Sequence, residues 1–183
     1  MPAFRELSQH ISDIAENGIK AGANCIEIEV SEDSAQDLLS LIIRDNGSGM
    51  SPDMVARVAD PWVTTRTTRK VGLGIPFFKQ TAEMCGGTFT ITSELGRGTS
   101  TGATFKLHHI DRPPLGDLAG TLLCLIVGNP QVDFVLRYQR DGEVFELDTR
   151  DIKAVLGEDV PLSDPEVLAY LRETLQGLPQ GVA

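Results

Sequence analysis

Positive charge is scarce in this chain: 16 Lys and Arg stand against 26 Asp and Glu in 183 residues, for a net charge of −10. That balance argues against nonspecific binding of nucleic acid. Long apolar runs are missing too. The longest, Leu122 to Val127, is far short of the roughly 20 residues a membrane-crossing helix requires. No charged-then-apolar signal segment opens the sequence. The three cysteines, Cys25, Cys85 and Cys124, form no C-x-x-C pair and have no histidine set nearby. A zinc site and a disulfide framework are both poor readings of them, and three buried thiols in a reducing compartment is the better one. A cytoplasmic protein without a membrane span is expected. Hydrophobic content of 41% with 23% charged residues is ordinary for a globular chain of this length, which can bury a sizeable core.

What the chain does carry is glycine, placed in three turns. Asp45-Asn46-Gly47-Ser48-Gly49-Met50 follows the apolar run Leu41-Ile42-Ile43. A carboxylate at a strand end can accept a hydrogen bond from the exocyclic amine of adenine. Gly47 and Gly49 lack the Cβ atoms that would keep the backbone away from a purine ring. Upstream, Leu7, Ile11, Ile14 and Ile19 recur at helical spacing, and Asp13 and Asn17, four apart, share a face with Lys20 continuing the polar stripe. That face offers a carboxylate base, an amide oxygen able to ligate Mg²⁺ and a cation for phosphate. Downstream, Gly72-Leu73-Gly74 runs through Ile75 into a helix with Pro76 in its first turn. Free N–H groups and the positive end of the helix dipole favour an anion there. A third turn, Gly96-Arg97-Gly98-Thr99, follows the alternating stretch Thr88 to Thr92.

The order and spacing of these motifs over residues of about 6 to 107 resemble the GHKL, or Bergerat-fold, family of ATP-binding domains shared by DNA gyrase, a heat-shock chaperone, histidine kinases and MutL. The resemblance implies that Asn17 is the Mg²⁺-binding asparagine and that Asp13 stands where members carry a general-base glutamate or an asparagine. It makes Lys20 similar to the lysine after that asparagine in histidine kinases, whereas Ala21-Gly22-Ala23 is closer to MutL. Asp45, Gly47 and Gly49 match the adenine box, with Met50 completing the expected contact set. Asp60-Pro61-Trp62-Val63-Thr64-Thr65-Arg66 is similar to a kinase segment expected to form a lid, placing Thr65 and Arg66 near phosphate. Gly72, Leu73 and Gly74 match the second glycine box, and Gly96 to Thr99 the last. ATP and Mg²⁺ are the implied cofactors. Asp13 is one methylene shorter than glutamate, and no phosphoacceptor segment of the Ser-His-Glu-Leu-Arg kind precedes the domain, so a self-contained histidine kinase is not expected. His10 can share the face of Asp13 and Asn17, although a packing role is the commoner one for such a residue.

The expected fold is a two-layer α/β sandwich, with helices on one face of a mixed, mainly antiparallel sheet. Helices are expected near residues 4–21, 52–59 and 76–85, and strands near 25–30, 40–44, 88–93 and 103–108. Residues 1–110 form the ATP-binding domain in this reading, with 111–120, which hold Pro113-Pro114, as a linker. A small extension over 121–183 follows: a buried strand at Thr121 to Val127, a hairpin about Arg140-Asp141-Gly142, and two helices at Thr149 to Leu156 and Asp164 to Leu175. The extension suggests a docking or dimer surface, against the alternative that it completes the sheet. Three functions stay open: a phosphotransferase acting on a separate protein, of anti-sigma or split histidine-kinase type; an ATPase switch of gyrase or MutL style that dimerises; and an adenine-nucleotide sensor that does no chemistry.

Overall fold

The computed structural model describes residues 5–58, 74–157 and 160–179. Helical spacing and strand alternation account for most of its elements. Along α1 (Leu7–Lys20), Leu7, Ile11, Ile14, Ala15 and Gly18 are buried. The first amides of α1 are satisfied from outside the helix, Leu7 N–H donating to the Pro114 carbonyl and Ser8 N–H to that of Leu115, each at 2.9 Å. β1 (Cys25–Asp33) and β2 (Leu38–Asp45) alternate buried and accessible positions, which gives a sheet with one apolar and one polar face. Ile26, Ile28, Val30, Leu39, Leu41 and Ile43 face the core, while Arg44 pairs with Glu29 on the other side.

Beyond α2 (Pro52–Val58) come α3 (Gly74–Met84), β3 (Phe89–Glu94), β4 (Gly98–Lys106), α4 (Leu118–Gly128), β5 (Asp133–Arg140), β6 (Glu143–Asp148), α5 (Thr149–Leu156) and α6 (Pro165–Leu175). The six strands form one sheet in the order β3-β4-β2-β1-β5-β6. Only the β1/β5 pairing is parallel, so the sheet is mixed and mainly antiparallel, as expected. The C-terminal hairpin adds to the same sheet. It turns through Asp141 and Gly142, both at positive φ, which suits the right-handed twist of the flanking strands. Residues of α1, α3, α4 and α6 cover the apolar face, and the core shared by helices and sheet has Phe78, Phe105, Phe134 and Tyr138 as its largest buried side chains.

Two expectations are corrected. Thr121 to Val127 is not a strand but part of α4. An unbroken apolar run of this length fits a buried strand or a buried helix equally well. The helix prevails because Asp117 caps it, its carboxylate accepting from Gly120 N–H at 2.8 Å. Leu118, Leu122, Leu125 and Ile126 then fall on one buried stripe. The thiols are also unlike one another: Cys85 is buried, Cys25 half-buried and Cys124 exposed on α4.

Candidate functional site

Asp45 is the last residue of β2, opposite Ile26 of β1 and Thr99 of β4. Its Oδ1 accepts from Gly47 N–H at 2.9 Å, turning the chain as it leaves the sheet. Burial pushes its carboxyl above the ordinary carboxylate range, opposed by the N–H groups of Gly47 and Thr99. The burial has a specific source. A Cβ on Gly18 would lie 2.6 Å from Asp45 Cβ and 3.0 Å from Ile26 Cδ1, so α1 rests against the base of the Asp45 side chain at a separation that only glycine permits.

The turn after Asp45 is held on three sides. Asn46 Oδ1 accepts from the N–H groups of Asn24 and Cys25, both at 3.0 Å, and its amide nitrogen donates to Asn24 Oδ1 at 2.6 Å. Ser48 N–H donates to the Ala21 carbonyl, and the Ser48 carbonyl accepts from Gly96 N–H. Met50 N–H donates to Ser93 Oγ at 2.8 Å. The Ser93 hydroxyl also donates to the Gly98 carbonyl at 2.8 Å and lies 2.9 Å from Thr99 Oγ1. Gly49 and Gly98 have φ of +65° and +107°, and a Cβ at either would overlap the carbonyl oxygen of Glu94 or of Asp45 respectively. The Asp45–Met50 turn and the β3–β4 turn are thereby locked together.

One helical turn from Asn17 along α1, Asp13 meets the start of α3: a Cβ on Gly74 would lie 2.8 Å from Asp13 Oδ2. A helix N-terminus favours a carboxylate, while burial and the charge of Glu16 raise the Asp13 carboxyl, with Lys20 opposing. Lys20 itself is 70% exposed and pairs with Glu16 at 3.0 Å. Asn17 is half-buried between these groups in sequence. The structure thus sets Asp45, Gly47, Gly49, Met50 and Thr99 in one assembly and Asp13 with Gly74 in a second, and α1 touches both, through Gly18 and through Asp13. Lys20 points to solvent, paired with Glu16, with its charge felt at Asp13. Thr65, Arg66, Gly72 and Leu73 lie outside the described residues.

His10 belongs to the core. It is buried, with Nε2 3.4 Å from Thr81 Oγ1 and its ring 5.2 Å from that of Phe78, and burial lowers its pKa to about 4. Gly18 and Ser93 are the site residues that sequence reasoning missed. A glycine inside a helix costs about 1 kcal/mol relative to alanine, and that cost was the available sign for Gly18. Ser93 sits in a run of strand hydroxyls that offers no sign. Among the described residues no group of three or more His, Cys, Asp or Glu could hold a metal ion, and no helix is long and apolar enough to cross a membrane.

Residues 4–110 match the family described as Histidine kinase-, DNA gyrase B-, and HSP90-like ATPase. The chain is 29% identical over 118 residues to the Non-motile and phage-resistance protein of Caulobacter vibrioides, covering 60% of this chain and 14% of that protein. It is 32% identical over 80 residues to a Probable C4-dicarboxylate sensor kinase of Bacillus subtilis, covering 44% and 15% respectively. The chain therefore spans about one seventh of the length of these two relatives. Among solved structures, the Aquifex aeolicus MutL ATPase domain complexed with ADP superposes with a TM-score of 0.51 at 13% identity, covering 93% of this chain and 88% of that one; the likeness is one of fold. With more than half its length matched, the chain belongs to the histidine kinase-, DNA gyrase B- and HSP90-like ATPase family.

Proposed function

We propose that this chain binds ATP with Mg²⁺ at Asp45 and Asn17 and transfers the γ-phosphoryl group to a separate protein. The observation that supports this best is the setting of Asp45: a half-buried carboxylate at a strand end, wedged against Gly18 and flanked by two interlocked glycine turns. A buried acceptor of this kind rewards a ligand that brings an N–H donor, as adenine does, since pairing relieves the cost of desolvation. Asn17 suits Mg²⁺, which keeps most of its waters and takes few protein ligands beside the phosphates. When bound, the ion would offset phosphate charge. Asp13 is the base: as the acceptor's nucleophilic atom bonds to the γ-phosphorus, the bond from phosphorus to the bridging oxygen breaks and ADP leaves with the electron pair. The acceptor's proton passes to the Asp13 carboxylate. Its raised pKa improves it as a proton acceptor near neutrality.

A second reading, an adenine-nucleotide sensor without chemistry, draws on the short reach of Asp13. The fate of γ-labelled ATP separates the two. With Mg²⁺ and a candidate acceptor present, the transferase reading predicts label on protein, lost in Asp13→Asn while ATP binding persists. Bound ATP with no label on protein and no free phosphate, whichever acceptor is supplied, contradicts it. Free phosphate lost in Asp13→Asn would point to an ATPase switch. Asn17→Ala should lower ATP affinity measured with Mg²⁺ to the value measured with EDTA.

A further inference from the structure

A groove between α5 and α6, away from the Asp45 assembly, has a volume of about 910 Å³. Ile152 and Val155 of α5, Val160 beyond it, and Val167 and Tyr170 of α6 line it. Val155 is 87% exposed, Tyr170 56% and Val160 37%. Neighbouring apolar side chains left to water on two adjacent elements mark a surface that another molecule covers. The walls are fixed from below: the Thr149 hydroxyl accepts from the buried Phe134 N–H, Lys153 pairs with Asp133, and Leu171 and Leu175 anchor α6 in the core.

The charge around this groove has one sign. Asp151, Asp164 and Glu166 line it, and no Lys or Arg does among the described lining residues. Lys153, which shares α5, is turned to Asp133 and the Val132 carbonyl instead. We propose that the α5–α6 groove docks an amphipathic helix of a protein partner, its apolar stripe seated on Val155 and Tyr170 and its Lys or Arg residues facing Asp151 and Glu166. Two helical walls around an apolar floor accept a third helix, whose side chains enter at i, i+3, i+4 and i+7 spacing. An extended segment would need a free strand edge for its backbone, and none of the described lining residues belongs to a strand. A second copy of this chain is a poor occupant, because each copy brings a net charge of −10 and like charges facing one another across an interface oppose association.

The test uses the whole chain and a defined probe: a fluorescein-labelled helical peptide of about five turns, with leucines along one stripe and lysines elsewhere. Anisotropy should report binding that weakens at high salt. Val155→Glu and Tyr170→Ala, both at exposed positions, should each weaken it at least about tenfold. The double variant Asp151→Lys, Glu166→Lys should weaken it and remove its salt dependence, while all variants keep wild-type ATP affinity. Amide shifts in the labelled protein should cluster on α5 and α6. Equal binding by a scrambled peptide of the same composition, wild-type affinity in the Val155 and Tyr170 variants, or shifts elsewhere on the molecule would each overturn the proposal. So would a dimer in sedimentation that Val155→Glu converts to monomer, since the occupant would then be a second copy.

Discussion

Replacing Gly18 with alanine sets a helix preference against a steric contact at the centre of the site. Alanine in a helix interior is favoured over glycine by about 1 kcal/mol. The new methyl, however, would stand 2.6 Å from Asp45 Cβ and 3.0 Å from both Asp45 Cγ and Ile26 Cδ1. Ordinary carbon contacts are about 3.5–4.0 Å, so α1 and the end of β2 must separate by roughly 1 Å. Ile26 Cδ1 can rotate away. Asp45 Cβ cannot, because it is fixed to a backbone paired on both sides with Ile26 and Thr99. Overpacking of this kind costs about 1–3 kcal/mol, which leaves a net destabilisation of roughly 0–2 kcal/mol after the helix gain. The effect on ligand is larger than the effect on fold. A displacement near 1 Å takes a carboxylate out of the hydrogen-bonding range of a purine amine, and a hydrogen bond to a charged group contributes about 1.5–3 kcal/mol. ATP affinity should therefore fall on the order of tenfold to a hundredfold. Isothermal titration with ATP, alongside thermal melts followed by circular dichroism, measures both quantities. Gly128→Ala, at the end of α4 where a Cβ meets nothing within 4 Å, is the control and should keep wild-type affinity. A folded Gly18→Ala protein that binds ATP as tightly as wild type would refute the reasoning.

Two further outcomes follow from the same geometry. Asp45→Asn keeps an oxygen to accept from Gly47 N–H but removes a charge whose ionisation burial disfavours. Because its folded-state pKa lies above the unfolded value, wild-type stability from this group is greatest below the unfolded pKa and is lost as pH rises through the folded one. The variant should melt no lower than wild type at neutral pH and gain relative to it between acid and neutral pH, while binding ATP more weakly; parallel melting curves at all pH values would contradict this. Ser93→Ala removes the hydroxyl that joins Met50, Gly98 and Thr99 and should cost about 1–3 kcal/mol of stability in chemical denaturation, together with a loss of ATP affinity. Unchanged values would show that the two glycine turns hold their places without it.

Where local pattern decides structure, the sequence was readable. The apolar spacing of α1, the alternation of β1 and β2 and the Asp141-Gly142 turn each depend on residues close in the chain. α4 is not legible from its apolar run, because six apolar residues carry no period of their own and the deciding cap, Asp117, lies five positions before Leu122. Strand β1 runs three residues past its expected end because Glu32 is buried with its Oε1 accepting from the Tyr138 hydroxyl at 2.7 Å, a pairing across 106 residues that no local pattern announces. The site divides in the same way. Asp45 and its glycines form a contiguous motif that could be read directly. Gly18, Ser93 and the Asn24–Asn46 clasp act through contacts between elements distant in sequence, so their roles emerge only once the sheet is assembled.

Asp45 is the proposed nucleotide anchor, and the most direct test is the affinity of ATP for wild type and for Asp45→Ala, measured by isothermal titration with Mg²⁺ present. Wild type should bind one ATP per chain, and Asp45→Ala, with an unchanged circular dichroism spectrum, should show no binding at the same concentrations. Unchanged affinity in a folded Asp45→Ala protein would mean that Asp45 does not hold the nucleotide.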